Sequence, residues 1–117
     1  MKNGAFAFAG LVLSGFVAGA HAQTLNFSPT VTLKIGQSGI LHGARASGCG
    51  GAAPDWATTR TWLPATELGT FADAGVRTRY SDSCKAEVKV RAVRFTARKA
   101  GVERLRLFGD SIDLTVR

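Results

Sequence analysis

The residue types that catalysis needs are scarce in this 117-residue chain. It has two histidines, His21 and His42, and His21 lies in an N-terminal segment that we expect to be removed. A serine–histidine–acid triad would therefore have to use His42. Its neighbours Leu41 and Gly43 indicate a strand or a strand end, which favours an ordinary surface or capping histidine over a catalytic one.

Acidic residues and cysteines give no metal or cofactor motif either. The eight acidic residues fall mostly in turns or on polar faces, as Asp82 between two serines and Asp110 between glycine and serine illustrate. No group of His, Cys, Asp or Glu has metal-ligand spacing, and no C-x-x-C-H haem motif occurs. We predict no catalytic residue, no metal site and no cofactor, and hence a protein that is not an enzyme.

The N-terminus has the three-part pattern of a secretory signal. Lys2 precedes an uncharged run of 16 residues, Ala5 to Ala20, which ends in an A-x-A site at residues 20–22. That run is shorter than the roughly 20 apolar residues that span a membrane. We predict a signal peptide over residues 1–22, cleavage after Ala22, and a periplasmic or secreted mature domain over residues 23–117 with no transmembrane segment.

Export makes the two cysteines a natural pair. Cys49 and Cys84 are the only cysteines of the chain, and an exported protein folds in an oxidising compartment. We predict one disulfide, which stabilises by about 4 kcal/mol if chain entropy is the dominant effect.

The mature chain is strongly basic. Loss of Lys2 leaves 14 basic against 8 acidic residues, a net charge of +6. This charge predicts attraction to an anionic envelope component or an acidic protein, whereas neither compartment nor motif indicates nucleic acid.

Six basic residues fall in the stretch KAEVKVRAVRFTARKAG, residues 85–101. Alternation with apolar residues favours the solvated side of a strand, but Lys89, Arg91, Arg94 and Arg98 are also a candidate binding face. The apolar residues occupy even-numbered positions up to Ala92 and odd-numbered positions from Val93. This change of parity predicts a β-bulge or a break into two strands. A bulge would bring all four cations to one outer face.

Two tryptophans are candidates for aromatic contacts. Trp56 follows Pro54-Asp55 and is a candidate for stacking on a sugar or anchoring a partner, with core packing as an equal alternative. For Trp62 we favour core packing beside the disulfide.

Period-two alternation dominates the mature chain and predicts an all-β fold. Residues 30–35 alternate with Val31, Leu33 and Ile35 on one face, and residues 105–107 and 112–116 predict a closing hairpin. Further short strands are predicted at residues 40–42, 59–63 and 76–80, a turn at residues 72–75, and at most one helical turn at residues 65–68. About seven strands at this spacing predict an antiparallel β-sandwich in one domain.

Both ends of the mature chain resemble bacterial immunoglobulin-like domains. The resemblance rests on V-x-L-x-I-G-Q-S at residues 31–38, on VRFTARKAG at residues 93–101, and on the two alternating strands that follow. It covers about a third of the mature chain. It implies an immunoglobulin-like antiparallel β-sandwich, exported and non-catalytic, with a binding or structural role at the bacterial cell envelope.

The same ends are also similar to the chagasin-like cysteine-protease inhibitors, which are exported sandwiches of comparable size. The two inhibitory loop motifs of that family are absent, and Arg60-Thr61-Trp62 replaces neither. Inhibition of a secreted or periplasmic hydrolase is the alternative function.

Export and oxidation can be tested together. Expression of the full-length chain in a bacterium should yield a periplasmic or secreted protein that begins at Gln23 and lacks two thiol hydrogens, because the signal is removed and Cys49 joins Cys84. Intact-mass measurement under non-reducing conditions checks both. A retained Met1 in the cytoplasmic fraction would refute the compartment.

Overall fold

Two three-stranded sheets form the domain. The computed structural model describes residues 24–117. The strands are β1 (Thr30–Leu33), β2 (Ser38–Arg45), β3 (Gly69–Ser81), β4 (Ala86–Ala97), β5 (Gly101–Leu107) and β6 (Asp110–Val116). Between β2 and β3 lie a single helical turn, α1 (Trp56–Thr59), and a 3-10 helix (Arg60–Trp62).

Each sheet has three strands, and its central strand pairs with both of the others. The terminal sheet has the order β1-β6-β5, in which β1 runs parallel to β6 and β5 runs antiparallel to it. The central sheet has the order β2-β4-β3 and is antiparallel throughout. An isolated bridge joins Thr24 to Thr78 at the edge of β3. The predicted all-β antiparallel sandwich with one disulfide is confirmed, with six strands in residues 24–117.

The central strand β4 is buried on both of its faces. Ala92 and Val93 are adjacent and both fully buried, and alternation sends their side chains to opposite faces. β4 is continuous and gains no extra residue. Instead the register shifts in its neighbours, at Leu41 in β2 and between Asp73 and Val76 in β3. The predicted irregularity therefore exists, but the bulges lie in the strands beside β4.

Two apolar clusters follow from this parity change. The main core joins the two sheets and contains Phe95 and Ala97 of β4. Its remaining buried members are Leu33, Leu41, Leu68, Leu105, Leu107, Ile112, Leu114 and Val116. A second cluster, which we call the back cluster, consists of Leu25, Val88 and Val90, with Ile40 and Cys84 packed against it. The segment before β1 thus covers one end of β4.

The strand predicted at residues 59–63 is wrong, because local capping favours a helix there. The Asp55 carboxylate accepts the backbone N–H of Thr58 at 2.8 Å, and its carbonyl accepts the Thr59 hydroxyl. Leu63 precedes Pro64, which disfavours helical dihedrals, and Leu63 is extended at ψ 144°. The helical segment therefore ends at Trp62.

Three smaller predictions also change. Residues 72–75 are a bulged part of β3 instead of a turn between strands, with Gly75 at φ +85°. Residues 65–68 form no helical turn. Ile35 is 56% exposed, because β1 ends at Leu33 and Gly36 turns the chain toward β2 at φ +89°.

The predicted closing hairpin is confirmed, and its tip is unusual. Leu107 pairs with Asp110, so the connection is the two residues Phe108 and Gly109. Both have positive φ, 53° and 90°, as in the primed turns that suit hairpin twist. Glycine adopts this conformation freely, whereas a phenylalanine there is strained.

The predicted signal peptide, residues 1–22, lies outside the described residues. Within residues 24–117 no helix has the length and apolar composition needed to cross a membrane.

A glycine at the start of β3 allows that strand to lie close to β4. A Cβ at Gly69 would lie 2.2 Å from the Thr96 carbonyl oxygen and 2.5 Å from the Phe95 ring. We expect Gly69→Ala to destabilise the fold by about 1–3 kcal/mol, measured by urea unfolding, because neither group can move cheaply. Gly48→Ala is the control, since nothing lies within 4 Å of that site. Equal stability of the two variants would contradict this packing.

Candidate functional site

The four cations of the predicted basic face do not form one row. Arg94 pairs with Ile40, which packs on the back cluster, so Arg94 shares the face of Val88 and Val90. Lys89 and Arg91 have the opposite parity on the same unbulged strand. Arg98 lies beyond the end of β4, in the turn to β5.

Arg91 also has a structural role that occupies its guanidinium group. Its Nε donates to the Pro54 carbonyl at 2.9 Å, and its Nη1 lies 3.4 Å from the Asp73 carboxylate. Only 19% of its side chain is exposed. Arg91 thus fastens the segment before α1 to the central sheet.

Three other arginines line one cleft. Its volume is about 470 Å³, within the range of small-molecule sites. We call it the arginine cleft. Its lining residues are Ala44, Arg45, Ala46, Ser47, Trp62, Arg79, Arg106, Phe108 and Gly109. No acidic residue is among them, so its lining charge is positive.

The fold holds only one of these arginines by hydrogen bonds. Arg45 donates to the Ser83 hydroxyl at 3.1 Å, to the Ala46 carbonyl at 3.4 Å, and to Cys84 Sγ at 3.7 Å. Arg45 is therefore a fixed part of the cleft wall beside the disulfide.

The other two arginines have no hydrogen-bond acceptor among residues 24–117. Arg79 Nε is buried without a hydrogen-bond partner, which costs free energy unless something else accepts its proton. Arg106, at the end of β5, is exposed and makes no ion pair within residues 24–117. Arg79 and Arg106 thus line the cleft with no ion pair to residues 24–117 that would neutralise them.

Aromatic side chains form the other wall of the cleft. Trp62 lies edge-to-face with Phe108, their ring centroids 6.4 Å apart. Trp62 is 49% exposed, so the expected core packing is wrong. Trp56 is half-buried at the start of α1 and does not line the cleft. The helical segment therefore presents Trp62, and not Trp56, to a ligand.

His42 is fully buried, which corrects the expected surface histidine. Its Nδ1 accepts the Gly43 backbone N–H at 2.9 Å, so the proton of the neutral ring is on Nε2 and is donated to Asp110 at 2.8 Å. The ring also contacts Phe27 and Phe108. Because both nitrogens are engaged, His42 anchors the hairpin tip and has no free nitrogen for a nucleophile.

Burial lowers the pKa of His42 below its ordinary value of 6.5. The hydrogen bond that His42 donates to Asp110 opposes this shift, and the charge of Arg79 adds to it. The imidazole is therefore neutral at pH 7.

The predicted disulfide is confirmed. Cys49 and Cys84 are bonded, with Cα atoms 5.6 Å apart. A second cleft of about 310 Å³ lies beside it, lined by residues 49–52 and 87–89. It contains Glu87 as well as Lys89, so its charges cancel. Residues 24–117 contain no group of three or more His, Cys, Asp or Glu side chains that could hold a metal ion.

Sequence reasoning missed the arginine cleft because its cations are far apart in the chain. Arg45, Arg79 and Arg106 belong to three strands of two sheets. The one local signal was Phe108-Gly109 between two alternating strands, where a hairpin turn favours Asn or Gly in place of Phe.

The pKa of His42 makes fold stability depend on pH. Because the folded pKa is lowered, the unfolded chain binds more protons as pH falls below 6.5, and stability is lost in that window, by up to about 1.4 kcal/mol per pH unit. Urea unfolding at pH 7.5 and pH 5.5 should show a larger loss for the native protein than for His42→Gln. Equal losses would mean that His42 does not titrate this way.

Comparisons with known proteins assign no relative. No family model, no curated protein and no solved structure matches the chain. The resemblance to immunoglobulin-like domains therefore stays a prediction, and the arginine cleft is interpreted from its own geometry.

Proposed function

We propose that this chain is an exported, non-catalytic binding module of the bacterial cell envelope, immunoglobulin-like in fold, which holds an anionic group of its partner in the arginine cleft. The observation that carries the proposal is the presence of three arginines, and no acidic residue, among the residues that line one cleft. The partner is an anionic envelope component or an acidic protein, as the basic composition also favours.

The electrostatics of the cleft support an anion in particular. Like charges that converge repel each other, and the repulsion costs the fold free energy unless a counter-charge relieves it. Neither Arg79 nor Arg106 is neutralised by an ion pair within residues 24–117, so an anion in the cleft would supply the missing counter-charge. Charge-assisted hydrogen bonds to guanidinium groups are among the stronger ones in proteins, contributing about 1.5–3 kcal/mol each.

The contacts of Arg45 with its neighbours indicate that this part of the cleft is formed before a ligand binds. Its contacts with Ser83 and Cys84 hold it in place before any ligand arrives. A ligand would therefore lose less entropy in ordering the site.

Binding of inorganic phosphate tests the site directly. NMR titration at low ionic strength should shift the Arg79 Nε–H resonance and the amides of Ala46 and Ser47, since these groups line the cleft. Raising the salt concentration should weaken the binding, because the site is open to solvent and salt screens its charges.

Two variants that each remove one positive charge test whether phosphate binds in the cleft. We expect Arg106→Gln to weaken phosphate binding about tenfold, because one charge-assisted contact is lost. Arg98→Gln removes the same charge outside the cleft and should leave the affinity within about twofold, an effect of general field alone. Since Arg106 is exposed, its replacement should leave unfolding unchanged. Equal weakening by both variants would refute the cleft as the binding site and restore the predicted basic face.

A further inference from the structure

The arginine cleft has more charge and more room than a single carboxylate needs. This inference rests on the proposed function, that the cleft holds an anion. A carboxylate carries one negative charge, against three lining arginines. A phosphate monoester carries about −1.5 to −2 charges at pH 7 and three acceptor oxygens, which suit paired guanidinium forks.

Beside the arginines, the cleft is bounded by the indole ring of Trp62, which we call the ring platform. The Trp62 edge-to-face contact with Phe108 fixes the indole, while 49% of Trp62 stays exposed. An indole held in this way offers its surface to the apolar side of another ring. With about 470 Å³, the cleft has room for a phosphate and the ring that carries it.

The remaining lining groups suit a ring with hydroxyl substituents. Ser47, which carries a hydroxyl, lines the cleft together with Ala46 and Gly109, whose only polar groups are in the main chain. A sugar ring has an apolar C–H face for Trp62 and a hydroxyl rim for these polar groups. A purely aromatic ring would leave the polar rim without partners.

We propose that the cleft binds a phosphorylated sugar, its phosphate held by Arg79 and Arg106 and its ring placed against Trp62. The tip residue Phe108 supports this arrangement. Its strained positive φ places the aromatic side chain against Trp62 and His42, where a relaxed turn residue such as glycine would leave the platform without support.

Four probes at equal ionic strength test the ligand class on the full-length chain after export. They are inorganic phosphate, glucose 1-phosphate, glucose and phenyl phosphate. We expect glucose 1-phosphate to bind about tenfold more tightly than inorganic phosphate, glucose to bind too weakly to measure, and phenyl phosphate to bind less tightly than glucose 1-phosphate. Isothermal titration gives all four affinities.

Two aromatic variants separate the ring from the charge. Trp62→Leu should abolish the tenfold margin of glucose 1-phosphate over inorganic phosphate. Tyr80→Leu is the control, because Tyr80 is 57% exposed and does not line the cleft. It should leave the margin intact.

A vesicle assay distinguishes a free sugar phosphate from a lipid headgroup. Phosphatidylcholine vesicles carrying lipid A present phosphorylated glucosamine, whereas vesicles with phosphatidylglycerol at equal surface charge present phosphate without a sugar ring. Retention on lipid A vesicles alone, displaced by glucose 1-phosphate, identifies a headgroup. Retention on neither, with tight glucose 1-phosphate binding, identifies a free ligand.

Each other outcome overturns a specific claim. If inorganic phosphate binds in the cleft but the sugar adds nothing, the ligand class is refuted and the anion site remains. If phenyl phosphate binds most tightly and Trp62→Leu removes that gain, the ligand is an aromatic phosphate instead. If no anion shifts the cleft resonances, the proposed function fails and the sugar phosphate with it.

Discussion

The structure depends on one constraint, the burial of β4 on both of its faces. Its apolar residues change parity between Ala92 and Val93 without a bulge in the strand itself. A single partner sheet can cover only one face, so a second cover is required for Val88 and Val90. Leu25 supplies it, and Gly43 lets it approach, since a Cβ there would lie 2.8 Å from Leu25.

The same constraint explains why the basic stretch, residues 85–101, predicts a single basic face that the strand does not form. Where cations alternate with apolar residues, they lie on the face opposite the apolar side chains. When the apolar residues shift by one position along the strand, the cations therefore move from one side of the sheet to the other. A bulge in β4 would have kept them together. Because the extra residues lie in β2 and β3, Arg94 shares the face of the back cluster while Arg91 reaches Pro54 and Asp73 on the other.

Patterns among residues that are close in the chain predicted individual strands but not the contacts between distant segments. Alternation identified β1, the closing hairpin and the all-β class, because period two depends on neighbours in the chain. It failed at residues 59–63, where one carboxylate cap and the proline after Leu63 decide the backbone. His42 was misjudged for a related reason: its burial comes from Phe27, Phe108 and Asp110, which lie far from it in sequence.

The arginine cleft is formed by residues that lie far apart in the chain, and two groups of contacts hold its walls in place. Ser47 lies two residues before Cys49, and Arg45 contacts Cys84, so the disulfide holds one wall from both of its ends. His42 and Asp110 hold the opposite wall through the hairpin tip. Packing of Phe108 on the main core offsets its strained turn, whereas no group within residues 24–117 accepts a hydrogen bond from Arg79 Nε. Arg79 and Phe108 both line the cleft, and departures from local rules concentrate at sites of function.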